Sequence, residues 1–230
     1  QLISDDTTGA LQGTGSMAAG DFDGDGSPNL AVAWPQKADA SPEKEHVVGL
    51  YAPGSNTTSL RISLSDLGIS STVPGIKNPD ILGAKKYPHA TVANVGDVND
   101  DGTEDLAVAV PNAFSTASTA VFLFLDLADA TPDVTIDYTD DGASYGVGQS
   151  IEGLGDVNGD GIDDFAVGDA YYDGGPSGTL GAMYVHYGKS ISTPSFGAPD
   201  LTITPSAASG ENLQYFPWGM TAGDFNGDDT

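Results

Sequence analysis

The stretch D-V-N-G-D-G-I-D-D (156–164), followed directly by F-A-V-G (165–168), decides how this 230-residue chain folds. The same pattern of acidic residues, amides and glycine, again followed by an apolar run, occurs at 21–29 and 97–105. A truncated copy occupies 224–230, and a glycine precedes every copy. These segments are named loops 1 to 4 in chain order. A short pattern that recurs every 59 to 76 residues indicates an internal structural repeat.

The segments between the loops are typical of β-strands. Four runs that are rich in β-branched and aromatic residues and bounded by Gly, Pro or Asp are LAVAV (106–110), FAVG (165–168), TAVFLFL (119–125) and GAMYVHYG (181–188). Alternation of apolar and polar residues predicts half-buried strands at VTIDY (134–138) and DLTIT (200–204). The best helix candidate, SLSDLGIS (63–70), is short and broken by glycine. The sequence therefore predicts an all-β chain in which a unit of about four strands recurs, as in propeller blades.

The composition excludes several classes of function. The formal net charge is -26, and 28 of the 33 acidic residues are Asp. A chain this acidic is repelled by phosphate backbones and anionic bilayers, so we expect no nucleic-acid partner and no binding to membrane surfaces. The absence of Cys excludes disulfides, Cys-ligated metals and a thiol nucleophile. No apolar run reaches 18 residues, so we expect no membrane insertion in this segment.

The spacing within each loop suits a metal ion. Side chains at positions 1, 3 and 5 converge on one point if the backbone curls, and Gly at position 6 permits the turn. The carbonyl of position 7 and the side chain of position 9 complete an oxygen shell, which favours Ca²⁺ over Mg²⁺. Two carboxylates about 4 Å apart repel by roughly 4 kcal/mol at an effective dielectric constant near 20, so three in one loop indicate a cation.

Two other interpretations of the loops are weaker. An EF-hand requires Glu at position 12 and flanking helices, whereas Val32, Val108 and Val167 stand at that position inside apparent strands. Simple hairpin turns also contain Asp-Gly and Asn-Gly pairs. Three loops in register, each followed by the same type of strand, favour calcium binding over turns alone.

Loop 3 with its following strand, GAMYVHYG (181–188) and PDLTIT (199–204) resembles the FG-GAP repeats of integrin α-subunit propellers and their bacterial relatives. The resemblance covers essentially the whole chain. It implies a β-propeller of FG-GAP-type four-stranded blades, usually seven in a ring, with Ca²⁺ loops on one face. About three and a half blades would be present, forming a single incomplete propeller over 1–230. The repeat units would span roughly 11–64, 87–138, 143–204 and 213–230, the last truncated.

The resemblance also implies the calcium ligands, as side chains at positions 1, 3, 5 and 9 and as a backbone carbonyl at position 7. They are Asp21, Asp23, Asp25, Ser27 and Asn29 in loop 1; Asp97, Asn99, Asp101, Thr103 and Asp105 in loop 2; Asp156, Asn158, Asp160, Ile162 and Asp164 in loop 3; and Asp224, Asn226 and Asp228 in the truncated loop 4. Loop 1 has Asn29 where the family expects Asp, so its site is predicted to be the weakest of the three complete ones. Loop 4 has Asp229 where the family expects Gly.

The remaining candidates for chemistry are scattered. His46, His89 and His186 form no ligand pattern, and the alternation around His186 predicts a strand-face residue rather than a ligand. Trp34 and Trp218 are suited either to stacking on sugars or to packing between blades. The sequence holds no nucleophile elbow, dinucleotide fingerprint or P-loop, and no catalytic motif was found. We therefore predict that the chain is not an enzyme.

Two functional classes follow from these features. The favoured one is an extracellular or cell-surface module, stabilised by calcium, that binds a protein or glycan ligand in adhesion or surface assembly. Millimolar extracellular calcium suits such sites. The alternative is the propeller domain of a secreted enzyme, such as a polysaccharide lyase or a phospholipase. Because an incomplete ring exposes apolar blade faces, we also expect the chain to continue into further blades or to assemble with another chain.

Overall fold

The computed structural model describes residues 16–33, 46–55, 57–69, 90–111, 118–139, 146–170, 172, 181–191, 194–205 and 216–223. These residues form β-strands and no helix, which confirms the all-β prediction for the described part of the chain. Within those ranges there is thus no helix that could cross a membrane. The predicted ligands Asp224, Asn226 and Asp228 of loop 4 lie outside the described residues.

The strands form three four-stranded antiparallel sheets in which each strand pairs with its neighbours in the sequence. Sheet 1 contains β1 (Met17–Gly20), β2 (Asn29–Ala33), β3 (His46–Tyr51) and β4 (Thr58–Ser63); sheet 2 contains β5 (Thr91–Gly96), β6 (Asp105–Ala109), β7 (Ser118–Phe124) and β8 (Val134–Thr139); sheet 3 contains β9 (Val147–Gly155), β10 (Asp164–Asp169), β11 (Ala182–His186) and β12 (Leu201–Ile203). Loops 1, 2 and 3 each join the first strand of a sheet to the second. Position 9 of every loop is therefore the first residue of that second strand.

Most predicted strands are confirmed to within two residues at either end. In β8, Val134, Ile136 and Tyr138 are buried while the residues between them are exposed, as the alternation predicted. The prediction of a half-buried strand at 200–204 is wrong, because all three residues of β12 are exposed. The positions equivalent to Leu201 and Ile203 in β8, Val134 and Ile136, pack in the core between sheets 2 and 3, whereas no sheet of the described residues covers this face of sheet 3.

The weak helix candidate at 63–70 is not a helix in the described part of the chain. Strand β4 ends at Ser63, and a turn follows over 64–68. The Asp66 carboxylate accepts hydrogen bonds from the backbone N–H of Ser63 at 2.8 Å and from its hydroxyl at 2.7 Å. This local capping closes the turn, since a short Asp side chain competes well for nearby backbone donors.

Two apolar cores lie between the sheets. The first joins sheet 1 to sheet 2 and includes Ile62, Leu106 and Phe122. The second joins sheet 2 to sheet 3 and includes Leu123 and Phe165. Successive residues of a strand point to opposite faces, so β6 supplies side chains to both cores and is buried along its whole length. The sheets are therefore stacked face to face in chain order.

The first strands of the three sheets lie side by side, with β5 between β1 and β9. The backbone N–H of Val92 donates to the Ser16 hydroxyl at 2.7 Å, and the Asn94 amide donates to the carbonyl of Ala19 at 3.0 Å. On the other side, a Cβ on Gly153 would lie 2.8 Å from the carbonyl oxygen of Asn94, so glycine permits close backbone contact. This arrangement places loops 1, 2 and 3 next to one another.

Sheet 1 has one face that is open among the described residues. Met17 is 67% exposed and Leu30 is 40% exposed. The equivalent positions of sheet 2 are occupied by Val92 and Leu106. Both side chains are buried against sheet 1. In sheets 2 and 3, the equivalent face packs against the preceding sheet.

Candidate metal sites

A shared network of backbone hydrogen bonds shapes the three described loops. In each, the carboxylate at position 1 accepts from the backbone N–H groups of positions 5 and 6, at 2.7 to 3.0 Å. The carboxylate at position 5 accepts from the N–H of position 7, at 2.8 to 3.0 Å. The glycines at position 6 have φ values of 83°, 94° and 92°, which side-chain-bearing residues rarely adopt. The repeated sequence pattern therefore produces one repeated loop conformation.

The network brings the predicted side-chain ligands together. In loop 1, carboxylate oxygens of Asp21, Asp23 and Asp25 all lie within 4.8 Å of one another. In loops 2 and 3, the Asn at position 3 donates through its side-chain amide to the Asp at position 5, at 2.8 and 3.0 Å. The backbone of position 7, which is Ser27, Thr103 or Ile162, is held in the same turn by the position 5 carboxylate.

The residue at position 9 lies on the buried side of each loop. Asn29, Asp105 and Asp164 occupy this position and are all buried. One oxygen of each side chain accepts from the backbone N–H of position 2, at 3.2 Å in loop 1, 2.8 Å in loop 2 and 3.0 Å in loop 3. The second polar atom differs between the loops. In loop 1 it is the Asn29 amide nitrogen, 3.2 Å from an Asp23 oxygen. In loop 3 it is Oδ1 of Asp164, which accepts from the N–H of Gly188 at 2.9 Å.

In loop 2 the second oxygen of position 9 is buried and has no hydrogen-bond partner among the described residues. This atom is Oδ1 of Asp105, a residue with no exposed surface. Burial raises the pKa of Asp105 to about 8, and the charges of Asp101 and Asp97 act in the same direction. An unsatisfied buried carboxylate oxygen is rare in folded proteins because it costs desolvation free energy without compensation.

In loop 3, the pKa values of the position 1 and position 9 carboxyls are shifted in opposite directions. The pKa of Asp156 is lowered, mainly because the N–H of Gly161 stabilises the carboxylate. The pKa of Asp164 is raised by burial, although hydrogen bonds from Gly188, Val157 and Asn158 oppose that shift. In loop 3, hydrogen bonds thus favour the ionised form of the exposed Asp156 carboxyl, whereas burial disfavours the ionised form of the Asp164 carboxyl.

The donor set fits a hard cation. The groups that converge in each loop are carboxylate and amide oxygens, without a sulfur or imidazole ligand among the described loop residues. Such ligands suit Ca²⁺ rather than a softer transition metal.

The sequence analysis missed the role of position 8. In loop 2 this residue is Glu104, whose Oε2 accepts from the backbone N–H of Asp21 in loop 1 at 2.7 Å. In loop 3 it is Asp163, whose Oδ2 accepts from the N–H of Asp97 in loop 2 at 2.9 Å. An acidic residue at position 8 of two loops was visible in the sequence, but its contact with the preceding loop depends on how the sheets stack.

Two further candidates are placed by the structure. His186 is buried on β11 and stacks on Phe165 in the core, in keeping with the predicted strand-face residue. Trp218 lies in the described segment 216–223, and its side chain is 59% exposed. Trp34 and His89 lie outside the described residues, and only the backbone of His46 is described, in β3.

No protein-family model matches the chain, and no curated protein matches it. Among solved structures, the chain is similar to the crystal structure of the rhamnogalacturonan lyase YesW, with a TM-score of 0.45 and 16% sequence identity over 85% of the chain. The chain spans only 35% of the length of that lyase. Likeness at this level carries no argument about function, which depends on the loops themselves.

Proposed function

We propose that the chain is part of a calcium-stabilised β-propeller of FG-GAP type that serves outside the cell as a binding or surface-assembly module. The observation that carries the calcium proposal is the acidic cluster of loop 1, in which carboxylate oxygens of Asp21, Asp23 and Asp25 all lie within 4.8 Å of one another. The repetition of that loop at the same corner of all three sheets supports the same conclusion.

The residues that would hold calcium are the side chains at positions 1, 3, 5 and 9 of each loop and the carbonyl at position 7. When bound, the ion neutralises the carboxylates that otherwise repel one another across the loop. The chain's own residues fix the loop before binding, because the position 1 carboxylate already accepts two backbone hydrogen bonds. Calcium therefore has a structural role at the junction between strands.

Thermal unfolding with and without calcium tests this proposal. We expect the melting temperature to fall in a chelator and to rise with added Ca²⁺, because a site at a hundredfold excess of ligand over Kd adds about 2.7 kcal/mol to the free energy of unfolding. The matched control is the double variant Asp97→Asn, Asp101→Asn, which should lose part of the calcium response. A melting curve that is indifferent to both chelator and calcium would overturn the proposal.

The low number of basic residues, 7 Lys plus Arg, supports a binding module rather than a catalyst, because a basic cluster at the channel of a propeller is hard to assemble from so few. Polysaccharides of different charge and linkage, incubated with the calcium-loaded protein, separate this proposal from the alternative of an enzyme domain. We expect retention in affinity electrophoresis with at least one polymer and no release of unsaturated or reducing sugar ends. Turnover of any polymer would favour the enzyme instead.

The open face of sheet 1 supports the proposal that a further sheet of the same repeat packs there. Met17 and Leu30 occupy positions that are covered in sheet 2. Because the chain has no Cys, a single Leu30→Cys substitution reports on this face cleanly. In the assembled protein, we expect its thiol to be labelled much more slowly than that of Ser59→Cys on β4. Equal labelling rates would contradict a covering sheet.

A further inference from the structure

We infer that the metal sites of loops 1 and 2 are each completed by the loop that follows, with Glu104 as a positioning residue for site 1 and Asp163 as a positioning residue for site 2. The inference rests on the proposed calcium function. It assigns a role to two carboxylates that are not ligands of their own loops.

The contact has the same form at both interfaces between sheets. Glu104 and Asp163 each stand at position 8, and each accepts a hydrogen bond from the backbone N–H of position 1 in the preceding loop. A second bond repeats beside it. The N–H of Leu127 donates to the carbonyl of Phe22 at 3.3 Å, and the N–H of Lys189 donates to the carbonyl of Val98 at 2.9 Å. Two interfaces with different sequences thus share two hydrogen bonds at equivalent positions.

The Glu104 carboxylate is held in place by its own sheet. Its Oε1 accepts from the side-chain amide of Asn94 at 2.9 Å, which leaves Oε2 for the N–H of Asp21. The same amide of Asn94 also donates to the carbonyl of Ala19 in sheet 1. Glu104 is therefore oriented before it meets loop 1.

Asp163 is positioned by close packing against Gly96. A Cβ on Gly96 would collide with the Asp163 carboxylate, so the absence of a side chain at Gly96 makes room for it. Loop 2 receives one more contact from sheet 3, since the hydroxyl of Ser190 donates to Asp100 at 2.7 Å. Loop 2 is thus contacted both by loop 3 and by the segment that follows β11.

The contacts bear on metal affinity in two ways. Position 1 is the centre of the loop network, so fixing its backbone fixes the carboxylate that accepts from positions 5 and 6. The position 8 carboxylate also brings a further negative charge close to the site, which favours a bound cation. Occupancy of one loop should therefore depend on contact with the next sheet.

A crossed titration with Ca²⁺ tests the inference. Site 1 is isolated by Asp101→Ala, Asp160→Ala and Asp228→Ala, and site 2 by Asp25→Ala, Asp160→Ala and Asp228→Ala. In the first background we expect Glu104→Gln to raise the Kd of site 1 about tenfold while Asp163→Asn leaves it unchanged. In the second background we expect the reverse, with Asp163→Asn weakening site 2 and Glu104→Gln leaving it unchanged. General loss of folding cannot produce this crossed pattern.

The failures are distinguishable. If the unsubstituted protein does not bind calcium, the proposed function fails and the inference fails with it. If the protein binds calcium but Glu104→Gln weakens site 2 instead of site 1, or neither site changes, the inference alone is overturned. Gln and Asn keep a hydrogen-bond acceptor, so Glu104→Ala and Asp163→Ala should weaken the same sites further.

Discussion

The Nε2 atom of His186 on β11 lies 2.7 Å from the hydroxyl oxygen of Tyr138 on β8, so a buried polar pair joins sheet 3 to sheet 2. The imidazole stacks on Phe165 and meets Phe196 edge to face. Its Nδ1 is buried, and the part of the chain that the structure describes offers it no hydrogen-bond partner. Protonation would add a positive charge to this apolar environment. Burial therefore lowers the pKa of His186 to about 4, against the opposing charge of Asp200.

The pair predicts a loss of stability in mild acid. An unfolded histidine takes up a proton near pH 6.5, whereas folded His186 does so only near pH 4. Between these values the unfolded state binds more protons, so the free energy of unfolding falls as the pH falls. The loss is at most about 1.4 kcal/mol per pH unit.

An NMR titration of the three histidines measures this pKa directly, with the His186 signal assigned through His186→Gln. The free energies of unfolding at pH 7 and pH 5 should differ less for His186→Phe than for the unsubstituted chain. Both proteins contain the same carboxyls, so the difference between them isolates the histidine. A titration midpoint near 6.5, or equal changes with pH in the two proteins, would contradict the prediction.

The three position 9 residues predict an order of calcium affinity. Asp105 has an oxygen without a donor, Asp164 shares its corresponding oxygen with Gly188, and Asn29 presents an amide nitrogen. We expect site 2 to be the tightest and site 1 the weakest. Asp105→Ala and Asp164→Ala should therefore reduce calcium binding more than Asn29→Ala does, as measured by calorimetric titration.

The converse substitution sharpens this test. Asn29→Asp should increase the calcium affinity of site 1, because it replaces a donor with an oxygen ligand. The same change removes the Asn29–Asp23 hydrogen bond and adds a like charge, so stability without calcium should fall. Asn29→Asp that leaves both quantities unchanged would show that position 9 does not face the ion.

The strands and the loops could be predicted from the sequence because both depend on local patterns. Apolar runs such as 106–110 follow each loop, and Gly at position 6 marks the turn. The exposure of β12 could not be predicted, since VTIDY and DLTIT show the same alternation and only the packing of another described sheet buries the apolar face of β8. The contact of Glu104 with loop 1 joins residues 83 positions apart and depends on the stacking of two sheets. Local sequence does not encode that relationship.

Asp133 joins the ends of β7 and β8 by two hydrogen bonds, which we expect to stabilise the fold locally. In sheet 2 the N–H of Leu125 donates to the Asp133 carboxylate, and the N–H of Asp133 donates to the carbonyl of Leu123, both at 2.9 Å. Asp200 makes the same pair of bonds in sheet 3. We expect Asp133→Ala to cost about 1–2 kcal/mol in urea unfolding, because it leaves the Leu125 donor without its partner.

Asp133→Asn should cost less, since its amide oxygen still accepts. Asp137→Ala removes an equal charge from an exposed position on β8 and should change stability by no more than about 0.5 kcal/mol. Equal losses for Asp133→Ala and Asp137→Ala would mean that the two hydrogen bonds of Asp133 add nothing beyond surface charge.

Gly96 predicts how closely sheets 2 and 3 must approach. Its φ is 78°, and a Cβ there would collide with the carboxylate of Asp163. Gly96→Ala should therefore lower the free energy of unfolding for two reasons. The left-handed backbone costs about 1–2 kcal/mol with a side chain present, and the hydrogen bond that the N–H of Asp97 donates to Asp163 is lost. Gly54→Ala is the matched control, because Gly54 has a φ of 70° and nothing within 4 Å of the added carbon.

Urea unfolding in chelator should show a lower midpoint for Gly96→Ala than for Gly54→Ala at an unchanged slope. Calcium titration should then show a weakened site 2 in Gly96→Ala only, and identical behaviour of the two variants would mean that Asp163 is not held by this contact.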